Sequence, residues 1–128
     1  MVDQVRRIER EFTGATARKM KKLTLDITAD LIGETPVRFG WARANWVPSI
    51  GDPFAGPAGS PDDVDQSAQV QGIAEVAATY RLSDGPIWIT NFVPYSGRLN
   101  EGYSRQAPAG FVDDAIDRNV DSVSQGPL

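Results

Sequence analysis

Glu75, Glu101 and the adjacent pair Asp113 and Asp114 are the carboxylates in this sequence that could be put to acid–base work. Glycoside hydrolysis would need two of them facing each other across a cleft, and nothing in their spacing arranges that. Histidine is absent, which removes the commonest general base and the commonest metal ligand. Cysteine is absent as well, so no thiol nucleophile, thiolate metal site or disulfide framework exists. Asp62, Asp63 and Asp65 lie close enough together to suggest a cation site. A calcium loop, however, needs a glycine at the sharp turn and a closing bidentate glutamate, and DDVDQS has neither in place. These acids read better as charges ahead of a helix N-terminus. No P-loop, dinucleotide glycine fingerprint or nucleophile elbow occurs. The expectation is a chain with no catalytic set, no cofactor and no metal.

Residue types suited to gripping another protein are concentrated elsewhere. Between Ile87 and Val112 the chain carries Tyr95 and Tyr103 among Arg98, Glu101 and Arg105. Tyrosine beside arginine in a positioned loop is the usual composition of an interface anchor. Phe54 is the one large apolar side chain in the stretch GDPFAGPAGSPDDV, residues 51–64. It is a candidate contact if that stretch works as an extended arm; a mobile solvent loop is the simpler alternative. Arg6, Arg7, Arg10, Arg18 and Lys21 fall opposite an apolar helical stripe and could touch phosphates. A solvated face, partly neutralised by Glu11 four residues from Arg7, is the plainer reading. Seven basic and six acidic residues over 1–34 give +1, whereas six basic and eleven acidic residues over 35–128 give −5. A free nucleic-acid binder would normally be basic over the whole domain.

These residues need a scaffold, and 128 residues are enough for one domain with one core. The start is charged with no apolar run behind it, and no run approaches the length of a membrane span, so neither secretion nor insertion is expected. Val5, Ile8, Phe12, Thr16, Met20, Leu23, Ile27 and Leu31 recur every three or four positions, which predicts one long amphipathic helix over residues 4–32. Gly33 and Pro36 supply its stop, and Gly14 is a place for a bend. At 1.5 Å per residue that helix would be about 43 Å long, more than the roughly 36 Å diameter of such a domain. Residues 43–50 read as extended, with Trp46 and Ile50 on one face and Pro48 marking an edge or bulge. Residues 68–80 suit a second helix through Val70, Ile73, Ala77 and Tyr80, with Gly72 against it. Residues 87–91 form the clearest strand, after Asp84-Gly85-Pro86 turn chemistry. A last helix should open with Pro108 in its first turn and bury Phe111 or Val112, Ala115, Ile116 and Val120. The fold class is therefore α+β: helices packed on a small sheet in one domain over 1–121, interrupted by the 51–64 loop and followed by a polar tail, 122–128.

Two stretches of this chain, TPVRFGWARANWVPSIG (35–51) and ITNFVPYSGRLNEGYSRQAPAGFV (89–112), resemble the tail-completion or neck-protein family of long-tailed bacteriophages, the minor tail protein Z type included. The residues carrying the likeness are Thr35, Pro36, Val37, Gly40, Arg43, Ala44 and Trp46 in the first stretch. In the second they are Thr90, Asn91, Pro94, Tyr95, Leu99, Glu101, Gly102, Tyr103, Gln106, Ala107, Pro108 and Gly110. The likeness covers about a third of the chain; the first helix agrees in kind only, and Asn100 departs from the residue relatives commonly carry before the acid.

The resemblance implies a non-enzymatic virion protein that forms a ring, six-fold in expectation, at the top of the tail or in the head–tail neck. Its partners would be further copies of itself and the tail-terminator, head-closure or tail-tube proteins. The genome would pass through the lumen without specific binding. Assembly in the host cytoplasm and residence in the virion neck follow from the same likeness. The competing class is a nucleic-acid-binding or general interaction module that uses the basic N-terminal helix.

Overall fold

The computed structural model describes residues 16–35, 40–57, 66–93 and 110–125. The order of elements is α1 (Ala17–Glu34), α2 (Gly40–Arg43), β1 (Val47–Ile50), α3 (Ser67–Thr79), a 3-10 turn (Leu82–Asp84), β2 (Ile87–Thr90) and α4 (Phe111–Gln125). This is the expected α+β arrangement of helices around a small sheet. No described helix is long and apolar enough to cross a membrane.

The long first helix is shorter than its periodicity implies. Thr16 has extended backbone angles (φ −97°, ψ 165°) and its hydroxyl accepts a hydrogen bond from the Lys19 amide at 3.2 Å, so it is an N-cap and α1 begins after it. Eighteen residues span about 27 Å, so the expected overhang is absent over the described residues. Val5, Ile8, Phe12 and Gly14 lie outside them. The inward stripe of α1 is Leu23, Thr24, Ile27, Thr28 and Leu31, as the spacing implies. The stop comes at Thr35, whose amide and hydroxyl both donate to the Leu31 carbonyl.

Residues 43–50 are not one strand. Arg43 closes the single turn α2, where the Ala44 amide donates to the Gly40 carbonyl and the Asn45 side-chain amide to that of Trp41. These local bonds satisfy the backbone in a turn, and the strand starts only at Val47. β1 and β2 then pair antiparallel, Val47 with Thr90, Pro48 with Ile89, Ser49 with Trp88 and Ile50 with Ile87. The Gly51 amide donates to the Pro86 carbonyl at 2.7 Å. Antiparallel pairs alternate between bonded and non-bonded, so 47/90 and 49/88 are bonded pairs and Pro48 falls at a non-bonded one. Its missing N–H costs the ladder nothing, and the strand needs no bulge.

The buried face of α3 is rotated from the expected one. Tyr80 is buried as expected and Ile73 is half-buried, but Val70 and Ala77 are exposed, and Gln69 and Val76 are buried in their stead. The reason is Gly72. A methyl group there would stand 2.3 Å from the Pro48 carbonyl oxygen, so only glycine allows the helix this close to β1. The main core lies between α1, α2 and α4: Leu23, Ile27, Leu31, Ala42, Trp46, Val93, Phe111, Val112 and Ala115 are buried together, with Trp41, Ile89, Ile116 and Val120 packed against them. Helix α4 starts at Phe111, not at Pro108. Gly110 before it has φ +79°, outside any helix and strained for an L side chain. It runs to Gln125, into the stretch read as a polar tail.

Candidate functional site

The two halves of the resemblance meet inside the protein. At one end, the indole N–H of Trp46 donates to the Thr35 hydroxyl at 2.9 Å, and that hydroxyl donates onward to the Leu31 carbonyl at 2.6 Å. The Trp46 amide donates to the Gln69 side-chain oxygen at 3.0 Å. At the other end, the Asn91 side-chain amide donates to the Ala42 carbonyl at 2.9 Å, and its oxygen accepts the Val93 amide at 3.0 Å. Thr35, Trp46, Thr90, Asn91 and Gln69 are all buried. Polar groups held this deep are tolerated only when bonded, and no buried side-chain nitrogen or oxygen among the described residues lacks a partner. Thr35, Trp46 and Asn91 are therefore structural: they fix the end of α1, the entry to β1 and the exit of β2 relative to one another. Gly110 belongs with them through its positive φ. A Cβ at Gly40 would meet nothing within 4 Å and its φ is ordinary, so no contact or backbone angle among the described residues requires glycine at that position.

Gln69 is the residue that sequence reasoning missed. It sits on a helix that also carries Gln71 and Glu75, both exposed, and what sets it apart is its place three positions before Gly72, on the face that glycine opens. With Gly72 and Pro48 it closes the outer edge of β1. Gln69 takes the outward Trp46 N–H, Pro48 has no N–H to offer, and the Pro48 carbonyl lies against Gly72.

Of the expected interface residues, Phe54 is described and half-buried. Its ring meets Phe92 edge-on, centroids 6.2 Å apart and planes at 71°, an attractive aromatic geometry. A Cβ at Gly56, whose φ is +70°, would stand 3.0 Å from the same Phe92 ring. The segment 51–57 thus turns back along its own domain. Tyr95, Arg98, Glu101, Tyr103 and Arg105 lie outside the described residues, as do Asp62, Asp63, Asp65, Arg6, Arg7 and Arg10.

Electrostatics concentrate on the α1–α4 seam. Arg118 forms ion pairs with Asp30 at 3.1 Å and Glu34 at 2.5 Å, and the Asn119 amide donates to Asp30 at 2.8 Å. The Asn119 hydrogen bond, with Arg118 beside it and partial burial opposing, holds the Asp30 carboxyl below its usual 3.8. Burial, then the charge of Asp84, raises the Tyr80 phenol above its usual value, and its hydroxyl donates to the Gly85 carbonyl at 3.2 Å. Along the first turns of α1, Arg18, Lys19, Lys21 and Lys22 form a short basic patch, with Lys22 paired to Asp26 at 2.6 Å. No group of three or more acidic side chains among the described residues could hold a metal ion. Comparison of the chain with protein-family models, curated proteins and solved structures returned no match.

Proposed function

We propose that this chain is a structural virion protein of a long-tailed phage, a tail-completion or neck component that forms a ring at the head–tail junction and helps join tail to head. The observation that carries the reading is the meeting of Thr35 and Trp46 with Asn91 around α2. Two stretches that resemble the family separately, about forty residues apart in the chain, are joined by the Asn91–Ala42 hydrogen bond and the pairing of Val47 with Thr90. Residues shared for architecture are what a family of scaffold proteins would keep, and the partner-facing chemistry then falls to the loops. On this reading Tyr95, Arg98, Glu101, Tyr103 and Arg105 form the contact with the next subunit or a neck partner. Phe54 reaches that contact as half of the Phe54–Phe92 pair, not as the tip of a free arm. The acidic balance of residues 35–128 keeps the lumen from holding the genome by its phosphates. A helical overhang is not among the supports for a ring; the support is the resemblance and the loop composition.

The basic patch at the start of α1 favours a second reading, a nucleic-acid-binding module. That reading predicts affinity for duplex DNA that falls steeply with salt, whereas the neck reading predicts none of consequence. A reconstruction of virions containing this protein tests the proposal: density for a ring of copies at the head–tail junction supports it, and a single isolated copy or a location elsewhere in the particle refutes it.

A further inference from the structure

The two edges of the sheet are treated differently. The outer edge of β1 is closed by α3 through Gln69, Pro48 and Gly72. On β2 the alternation that makes 47/90 and 49/88 the bonded pairs turns the main-chain groups of Ile87 and Ile89 away from β1. No described residue bonds those outward groups. Both side chains are only half-buried. Unpaired donors and acceptors along a strand edge are a template for another strand, and a two-stranded sheet is the smallest and least stable kind.

We propose that this edge pairs antiparallel with the same edge of a second copy, giving a four-stranded sheet across a two-fold axis centred on Trp88. The sequence of β2 is what selects this occupant. Ile87-Trp88-Ile89 reads the same in both directions, so a two-fold at Trp88 sets Ile87 of each chain opposite Ile89 of the other. Both pairs are of the bonded kind, which makes about four new main-chain hydrogen bonds. The two Trp88 residues become a non-bonded pair, the closer kind, where aromatic side chains add most to cross-strand packing. The Trp88 indole N–H is already satisfied by the Gly51 carbonyl at 2.9 Å, so the pairing strands no polar group. The contact closes on itself and does not depend on the virion reading.

Two measurements test it on the full chain. Sedimentation across a concentration series should show conversion from 13.9 kDa to twice that mass. Amide exchange followed by NMR should show Ile87 and Ile89 protected only in the heavier species, slowed by on the order of tenfold or more, with Trp88 and Thr90 protected in both. Ile87→Pro removes one outward donor per chain without touching the β1–β2 ladder, as Pro48 does on the other strand, and should weaken association on the order of tenfold. A chain that stays at 13.9 kDa throughout overturns the proposal. So does protection of Ile87 and Ile89 in the monomer, which would mean the edge is closed within the chain, and so does dimerisation that leaves both amides exchanging freely.

Discussion

Replacing Gly72 by alanine should destabilise the protein, against the ordinary direction for a helix. In an exposed helix the change would gain about 1 kcal/mol. Here the new methyl would lie 2.3 Å from the Pro48 carbonyl oxygen, 3.2 Å from Pro48 Cδ and 3.3 Å from Val47 Cγ1. A carbon and a carbonyl oxygen rest at roughly 3.3–3.6 Å, so α3 must retreat from β1 by about 1 Å. The obstacle is backbone, which cannot swing aside as a side-chain tip could. Overpacking of this kind costs about 1–3 kcal/mol. The retreat also stretches the 3.0 Å bond from the Trp46 amide to Gln69, and an unpaired buried N–H costs about 1–3 kcal/mol. Set against the propensity gain, a net loss of about 2–3 kcal/mol is expected, which for 128 residues lowers the melting temperature by roughly 7–11 °C. Urea denaturation of the wild type, Gly72→Ala, Gln69→Ala and the double variant measures it. The two changes should be non-additive, because the first already weakens the bond that the second deletes. A Gly72→Ala protein as stable as the wild type would refute the close approach and with it the explanation of the rotated α3 face.

Thr35→Val keeps the shape but removes the acceptor of the Trp46 indole, and should cost about 1–3 kcal/mol in the same denaturation assay. Asp30 titrates below 3.8 in the folded chain, so its contribution is present above that pH and lost as the pH falls through the lower folded value. Asp30→Asn should accordingly be less stable than the wild type at neutral pH, with the gap narrowing as thermal melts are repeated at pH values falling below 3.8. Arg98→Ala and Tyr103→Ala should leave the melting temperature nearly unchanged while lowering partner binding by about 2 kcal/mol or more, read as loss of joined particles in an assembly assay; normal joining by both variants would remove them from the interface.

Much of the scaffold is written locally in the sequence. The α1 stripe from Leu23 to Leu31, the strand at Ile87–Thr90 and the Phe111–Val120 face of α4 follow from spacing alone, because each depends on one element's own period. What spacing could not supply were features set by a second element or by a local bond. Thr16 ends a stripe that continues in sequence, because a hydroxyl able to cap is worth more there than one more apolar position. The α3 face depends on where Pro48 presents its carbonyl, a fact about β1 and not about α3. The turn at Gly40–Asn45 depends on side-chain bonds to nearby carbonyls that extended propensity ignores. At the candidate interface, Phe54 was legible as an unusual apolar residue in a Pro/Gly stretch. Its partner Phe92, far along the chain, was not, since nothing local ties the two together.

The proposed function is the joining of phage tails to heads. Removing its gene from the producing phage and adding the purified 13.9 kDa chain back to the lysate tests that claim most directly. Filled heads and free tails should accumulate separately without it, and added protein should restore joined, infectious particles. Intact virions formed in its absence, or separate heads and tails that the added protein leaves unjoined, would contradict it.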